Sequence, residues 1–262
     1  MMDLDSYRAA ALALGIPEPA SDWWLSVNRP GVLLGSQLEG RLAGHLGGSP
    51  SLPRDVDWPI APAAELGTVS DLPIPFIASI DCTNLPAHEL DIDLPDGTLL
   101  FFSFVDLFDP YCQVIHVPTG TELDTRAAPV DDDGDPPEML PFEPLHAVAA
   151  RTFTGTEHGY PPQDGLTSTI DDNMLEKLAE LTREPGELDT VFQIGGHPYV
   201  IRCNPEEDAD DREQSWVLLA QMFLWARDDL ELDGEIVYWT ISRADLTNRR
   251  FDRVRITVEI SG

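Results

Sequence analysis

Two stretches of the chain carry apolar residues at the spacing of an amphipathic α-helix. In residues 4–14 the apolar positions share one helical face: Leu4, Tyr7, Ala11 and Leu14. Residues 173–182 repeat the pattern with Met174 and several leucines, and aspartates just before them are suitable N-caps. These two stretches are the helices that the pattern predicts.

Strand patterns dominate the rest of the sequence. Residues 98–104 form a nearly continuous apolar run, which is typical of a strand covered on both faces. Further strands are predicted at residues 76–80, 112–117, 199–201, 216–223, 235–242 and 254–260. We therefore expect an α+β fold with few helices and mainly antiparallel sheets, packed into one globular unit.

Two acidic segments interrupt this pattern. Residues 129–144 are rich in aspartate and proline, and residues 206–213 are rich in aspartate and glutamate. Proline and runs of carboxylates disfavour regular structure. Both segments are therefore predicted to be solvated surface loops that connect strands.

The chain also contains an apparent internal duplication. Gly-Gly-Ser-Pro at residues 47–50 recurs as Gly-Gly-His-Pro at 195–198. In each half a buried strand, an Asp-Gly turn and an aromatic strand follow in the same order, at residues 76–80, 96–97 and 98–102, and at 218–222, 233–234 and 235–239. Two related strand-rich repeats are the simplest interpretation, and they would pack together to bury their apolar faces.

The duplication suggests how the chain is organised. Residues 1–44 would form an N-terminal helix and connector, and residues 45–128 the first repeat. Residues 129–190 would form an acidic loop and helical connector, and residues 191–262 the second repeat. All four parts are expected to belong to one structural domain.

Several short motifs resemble a known family. They are Gly-Gly-x-Pro at 47–50, Leu-Pro at 52–53, Trp-Pro at 58–59, and the glycine-led aromatic strands at 97–102 and 234–239. Together they resemble the YwqG-like family of bacterial proteins of unknown function (DUF1963), over roughly residues 45–260. The resemblance implies an α+β fold with two related repeats, and it implies no reaction, cofactor or catalytic residue. Ser79 departs from the glutamine that the family tends to carry in the first repeat.

Composition and charge exclude several classes of protein. The 262 residues include 47 acidic and 16 basic side chains, for a formal net charge of −31, and 42% of them are hydrophobic. This apolar content is sufficient for a core, so the chain is not predicted to be disordered. We expect no membrane span, because there is no run of about 18 apolar residues. We expect no nucleic-acid binding, because there is no basic patch for phosphates.

The cysteines and the N-terminus point to the cytoplasm. Cys82, Cys112 and Cys203 are odd in number, widely spaced and without a Cys-x-x-Cys pair, which disfavours a disulfide framework. The first residues lack the positive start and apolar core of a signal peptide. In this setting the acidity fits solubility, a high-salt cytoplasm or a basic partner.

Motifs for catalysis or metal binding are missing from the sequence. There is no nucleophile elbow, phosphate-binding loop or dinucleotide fingerprint. The aspartates at 131, 133 and 135 imitate a calcium loop, but Pro136 stands where that loop needs glycine and Phe142 where it needs glutamate. We expect no metal site and no cofactor.

A few residues remain as candidates for ligand binding. His45 and His197 lie near the two Gly-Gly turns and would face one cleft if the repeats pack with twofold pseudosymmetry. Together with Asp81 or Asp245 they could then do acid–base work. Gln221 in an apolar strand and Trp58 complete the set. The alternatives are histidines at turn edges, a glutamine satisfied by backbone groups, and a tryptophan that anchors the core.

Two hypotheses for function follow. We favour a non-enzymatic binding module whose acidic surface engages a basic protein, as immunity proteins capture toxins. That surface would comprise Asp131, Asp132, Asp133, Asp135, Asp208, Asp210 and Asp211. The alternative is a small-molecule-binding protein or enzyme that uses a cleft between the repeats.

Overall fold

The computed structural model describes most of the chain. The described residues are 4–86, 90–105, 110–152, 173–174, 177–178, 181, 190–200, 203–207, 215–224 and 236–259. Their α-helices are α1 (Leu4–Ala13), α2 (Glu18–Ser26), α3 (Ala63–Leu66) and α4 (Arg243–Thr247). Short 3-10 turns lie at Cys82–Asn84 and Phe251–Arg253. Within 173–182, every described residue is helical.

Strands make up most of the regular structure. The first nine are β1 (Arg29–Gly35), β2 (Arg41–Leu46), β3 (Ser51–Pro53), β4 (Ile60–Ala61), β5 (Leu72–Pro73), β6 (Phe76–Asp81), β7 (Thr98–Phe104), β8 (Tyr111–Val117) and β9 (Leu123–Thr125). The remaining five are β10 (Glu143–Thr152), β11 (Phe192–Gly195), β12 (Trp216–Phe223), β13 (Ile236–Ser242) and β14 (Arg255–Glu259).

Ten strands form one antiparallel sheet in the order β14-β13-β12-β11-β1-β10-β2-β6-β7-β8. The two edges of this sheet approach each other, since the thiol of Cys112 on β8 donates a hydrogen bond to the carbonyl of Val254, next to β14 (3.6 Å). The sheet is therefore a nearly closed barrel. The expected strand-rich α+β fold with mainly antiparallel sheets is confirmed.

The interior of the barrel is the main apolar core. Phe101 on β7, Phe192 on β11 and Trp239 on β13 are fully buried, with ring centroids 5.3 to 5.6 Å apart. The indole N–H of Trp239 donates to the hydroxyl of Ser103 at 2.9 Å, which satisfies both buried polar groups. Because β7 lies far from β11 and β13 in the sheet order, these contacts exist only because the sheet curls round.

Smaller apolar layers cover parts of the outside. A second cluster on the outer face of β6 and β7 includes Phe76, Phe102 and Leu52 and is covered by the small sheets β3-β9 and β4-β5. A third joins α1, α2 and the helical residue Leu178, with Tyr7 packed edge-to-face against Trp24. The described apolar residues of the predicted helix at 173–182, Met174, Leu178 and Leu181, therefore pack against the N-terminal helices.

The strand order has a regular arrangement around its central pair. β1 and β10 pair with each other in the middle. On one side β10 pairs with β2, which is followed in order by β6, β7 and β8. On the other side β1 pairs with β11, which is followed in order by β12, β13 and β14. β1 thus pairs with the meander that follows β10 in the chain, and β10 pairs with the meander that precedes it.

The sequence pattern predicted the strands toward the two edges of the main sheet and missed the four at its centre, β11, β1, β10 and β2. β12 spans the predicted residues, and β7 likewise. β1 was not predicted because it contains Pro30-Gly31, a turn signal, and the predicted loop at 129–144 overlaps the start of β10. The strand predicted at 199–201 is wrong for Tyr199 and Val200, which are irregular, and residue 201 lies outside the described residues.

Candidate functional site

Both Gly-Gly pairs lie where a strand of the main sheet ends. Gly47 and Gly48 follow β2 with φ of 51° and 69°, and Gly195 and Gly196 at the end of β11 have φ of 61° and 75°. Glycine reaches these left-handed conformations without the steric cost that other residues meet. The pairs therefore serve to turn the chain sharply out of the sheet.

His45 lies at the end of β2, beside the first Gly-Gly turn. Its Nδ1 is 2.9 Å from the carbonyl oxygen of Gly47, and its ring packs against Phe76 and Phe142 with centroids 5.7 and 5.1 Å away. The imidazole is half-buried between these rings. This arrangement holds the turn and leaves one edge of the ring for other contacts.

His197 is buried and forms a hydrogen bond between the second Gly-Gly turn and the end of α2. Its Nε2–H donates to the carbonyl oxygen of Val27, just after α2, at 2.5 Å, and its backbone N–H donates to the Thr152 hydroxyl at 2.6 Å. Burial lowers the pKa of His197 to about 4, with a further lowering from Arg29, against opposing effects of the Val27 hydrogen bond and Asp91. The imidazole is therefore neutral at pH 7 and ties together three distant segments.

The structure does not bring the two histidines together. His45 pairs with Pro144 of β10, whereas Gly195 pairs with Gly31, which in turn pairs with Ala150 of β10. Pro144 and Ala150 are six positions apart along β10, which corresponds to about 20 Å at ~3.3 Å per residue. In addition, β2 and β11 are three strands apart in the sheet. A cleft shared by His45 and His197 is not formed.

Gln221 belongs to a buried network of two side-chain amides. Its Nε2 donates to Oε1 of Gln193 at 2.9 Å, and its Oε1 accepts from the backbone N–H of Tyr199 at 3.0 Å. The Nε2 of Gln193 donates in turn to the carbonyl oxygens of Gly195 and His197 at 2.8 and 2.9 Å. The hydrogen bonds of both side-chain amides thus hold the segment after the second Gly-Gly turn against the sheet.

The network continues across the next two strands. The hydroxyl of Tyr238 on β13 donates to the carbonyl oxygen of Tyr199 at 2.5 Å and lies 2.9 Å from Oε2 of Glu259 on β14. The other carboxylate oxygen of Glu259 accepts from the backbone N–H of Cys203 at 2.8 Å. A row of polar side chains on four adjacent strands therefore satisfies the backbone of the segment that crosses them.

Trp58 and Asp245 have structural contacts of their own. The indole N–H of Trp58 donates to the carbonyl oxygen of Ile74 at 3.0 Å, and its ring packs edge-on against Phe102. Asp245, in α4, accepts from the hydroxyl of the N-cap residue Ser242 at 2.7 Å and pairs with Arg250. Neither residue lies at either Gly-Gly turn.

The acidic segment before β10 is an ordered turn. One carboxylate oxygen of Asp131 accepts from the backbone N–H groups of Asp133 and Asp135 at 3.0 and 2.9 Å. Asp132, Asp133 and Asp135 are exposed, whereas Asp131 is half-buried. Asp131 therefore shapes the loop that presents the other three carboxylates.

Glu206, the first residue of the second acidic segment, is not solvated as predicted, whereas Glu207 is exposed. Both oxygens of Glu206 accept from Arg29 at 2.8 and 2.6 Å, and Oε1 also accepts from the backbone N–H of Leu218. Its side chain is only 8% exposed because it joins β1 to β12. Asp208, Asp210 and Asp211 lie outside the described residues. The sequence carried no signal for this ion pair, since its partners are far apart in the chain.

Two of the three cysteine thiols are held in the protonated form. Cys82, Cys112 and Cys203 are free. Burial raises the pKa of the Cys82 and Cys112 thiols to about 12, with a further contribution from Asp81 at Cys82, so neither is a thiolate at neutral pH. Within the described part of the chain, no three His, Cys, Asp or Glu side chains are grouped to hold a metal ion.

The sequence matches one family model, described as a domain of unknown function, over residues 44–259. The chain belongs to the DUF1963 family. The DUF1963 match begins inside β2 and ends with β14, so it leaves out β1, which forms half of the central strand pair. No curated protein sequence matches the chain. No described helix has the length and apolar character needed to cross a bilayer.

Proposed function

We propose that this DUF1963 protein is a non-enzymatic binding module whose acidic surface engages a basic protein partner in the cytoplasm, as an immunity protein engages a toxin. The observation that carries the proposal is the ordered turn at Asp131, which presents the exposed carboxylates of Asp132, Asp133 and Asp135. A net charge of −31 adds a long-range attraction for cationic proteins.

Order in this loop favours binding over simple solubility. A loop whose carboxylates are already positioned loses less conformational entropy when a partner binds. The charge as a whole would accelerate encounter, and this acceleration weakens as salt screens the field. The binding reaction is therefore expected to depend strongly on ionic strength.

The alternative of a catalytic or small-molecule cleft has less support. It depends on His45 and His197 meeting between the repeats, and they lie at different levels of the sheet. Gln221, Trp58 and Asp245 also have their polar groups engaged by the protein itself. No observation favours this alternative over the binding module.

The decisive experiment measures capture of a partner by matched charge variants. The wild type, an Asp132→Asn/Asp133→Asn/Asp135→Asn variant and a control with Glu18→Gln, Glu39→Gln and Asp252→Asn would each be used as bait in native lysate. We expect a basic protein that binds at low salt, is released at high salt, and binds the loop variant about tenfold more weakly than the control. Equal capture by both variants, or no salt-sensitive partner, would contradict the proposal.

We also propose that residues 45–128 and 191–262 are two copies of one unit. The support is the equivalent order of β2-β6-β7-β8 and β11-β12-β13-β14 in the sheet, together with a Gly-Gly turn after the first strand of each. Under this proposal β1 and β10 are equivalent strands, and each pairs with the opposite copy. Residues 1–44 and 129–190 then supply the connectors and the central strands.

A further inference from the structure

Two large apolar side chains are exposed in this part of the sheet, Leu42 on β2 and Phe142 just before β10. Phe142 is 65% exposed and Leu42 is 54% exposed. Phe142 stacks on the ring of His45 at a centroid distance of 5.1 Å and also contacts Gly48. Phe142 is thus held in place with most of its surface in water.

The neighbouring residues form one continuous outer face. His45 pairs with Pro144, and Leu42 pairs with His146, two residues further along β10. Cross-strand partners lie on the same face of a sheet, and so do residues two apart in a strand. Leu145 lies between Pro144 and His146 in the strand, and Ala147 follows His146; both of these side chains belong to the barrel core. We name this face the outer patch; it comprises Leu42, His45, Phe142, Pro144 and His146.

The charge beside the outer patch indicates what would cover it. The segment that leads into Phe142 is the ordered acidic turn, with the exposed Asp132, Asp133 and Asp135, and Glu138 is exposed between them and Phe142. An apolar anchor beside a polar, charged rim is the usual anatomy of a protein interface. Charge complementarity requires the occupant to be cationic.

We propose that the outer patch docks a segment of a basic protein, which places an apolar side chain against Phe142 and its lysines or arginines against the acidic turn. This inference rests on the proposed function and adds the anchor to it. Charge alone would give fast but short-lived encounters, whereas the apolar contact would slow dissociation.

The test uses two synthetic peptides of equal length and charge, one alternating lysine with leucine and the other alternating lysine with serine. Binding to the full chain is measured by fluorescence anisotropy at low salt. We expect the wild type to bind the leucine peptide about tenfold more tightly than the serine peptide. In the Phe142→Ser variant this ratio should fall to about one, with the serine peptide unaffected. Val69→Ser, which removes a fully exposed valine elsewhere, is the matched control and should keep the wild-type ratio.

The outcomes separate the anchor from the acidic surface. If the Asp132→Asn/Asp133→Asn/Asp135→Asn variant weakens both peptides while Phe142→Ser changes neither, the proposed function stands and the outer patch is not the anchor. If no variant changes binding of either peptide, both proposals fail. Sedimentation would expose a further contradiction: dimers of the wild type that Phe142→Ser dissociates would make a second copy the occupant.

Discussion

Several single side chains in this structure form hydrogen bonds between segments that are distant in the chain. His197 joins the second Gly-Gly turn to the end of α2, and Glu206 joins β1 to β12. Both are ionisable residue types that a reader of the sequence would assign to a site or to the surface. Their hydrogen bonds show instead that their polar atoms are committed to the fold.

The burial of His197 predicts a specific pH dependence of stability. Its folded-state pKa of about 4 lies below the usual 6.5, so the unfolded chain takes up a proton first as the pH falls. The stability that this residue contributes is therefore fully present above pH 6.5 and is lost as the pH falls toward 4. At pH 4.5 the free energy of unfolding should be about 2–3 kcal/mol lower than at pH 7 on account of His197. Urea unfolding at pH 7 and 4.5 measures this loss.

The variant His197→Gln isolates this effect from that of the many carboxylates. A glutamine amide can still donate to the Val27 carbonyl, but it does not titrate. We expect the variant to lose about 2 kcal/mol less than the wild type between the two pH values. An identical loss in the two proteins would show that His197 is not held neutral.

Gln221 gives a second prediction at this scale. Gln221→Leu leaves the backbone N–H of Tyr199 and Oε1 of Gln193 without their partner, and it should lower the free energy of unfolding by about 2–4 kcal/mol. Gln113→Leu on the exposed face of β8 is the control and should change it by about 0.5 kcal/mol or less. Equal effects in chemical denaturation would contradict the buried-network interpretation.

At the scale of elements, the Gly-Gly turns set where the chain leaves the sheet. A Cβ on Gly47 would lie 2.1 Å from the carbonyl oxygen of Leu140, and the residue's φ is 51°. The backbone of the segment before β10 therefore passes directly over the turn. Only glycine allows this approach, so the motif fixes a contact between two segments as well as a turn.

This close approach predicts the cost of adding a methyl group. Gly47→Ala should lower the free energy of unfolding by more than about 3 kcal/mol, since backbone atoms must move as well as adopt a strained φ. Gly134→Ala, at a positive φ with no atom within 4 Å of the added Cβ, should cost only about 1 kcal/mol. Thermal or urea unfolding of both variants measures the difference, and equal costs would remove the role assigned to the contact.

At the scale of the whole molecule, the central strand pair interlocks the two halves of the chain. β10 lies between β1 and β2, and β1 lies between β10 and β11. Neither half can complete its share of the barrel without a strand from the other. We therefore expect the two four-stranded meanders to unfold together.

Interlocking predicts the behaviour of fragments cut in the exposed acidic turn, between Asp133 and Gly134. Residues 1–133 and 134–262 should each lack stable tertiary structure alone and should form a folded 1:1 complex when expressed together. Size-exclusion chromatography and near-UV circular dichroism would detect the complex. A folded, monomeric 1–133 fragment would show that the strand exchange is not needed for stability.

The sequence alone determined the features that depend on local pattern and composition. The apolar runs located β7 and β12, and the glycine pairs marked the two turns. These features could be predicted because side-chain periodicity and positive φ are properties of a few adjacent residues. The resemblance of several short motifs to DUF1963 is confirmed by the family match over residues 44–259.

Tertiary structure decided which segments meet. The pairing of β1 with β10, the separation of His45 from His197 and the burial of Glu206 all depend on the register between strands that are far apart in the chain. No local pattern encodes that register; it follows from curling the sheet into a nearly closed barrel around its apolar core. For the same reason the sequence revealed the carboxylates of the acidic turn, while only the fold showed that Leu42 and Phe142 are exposed.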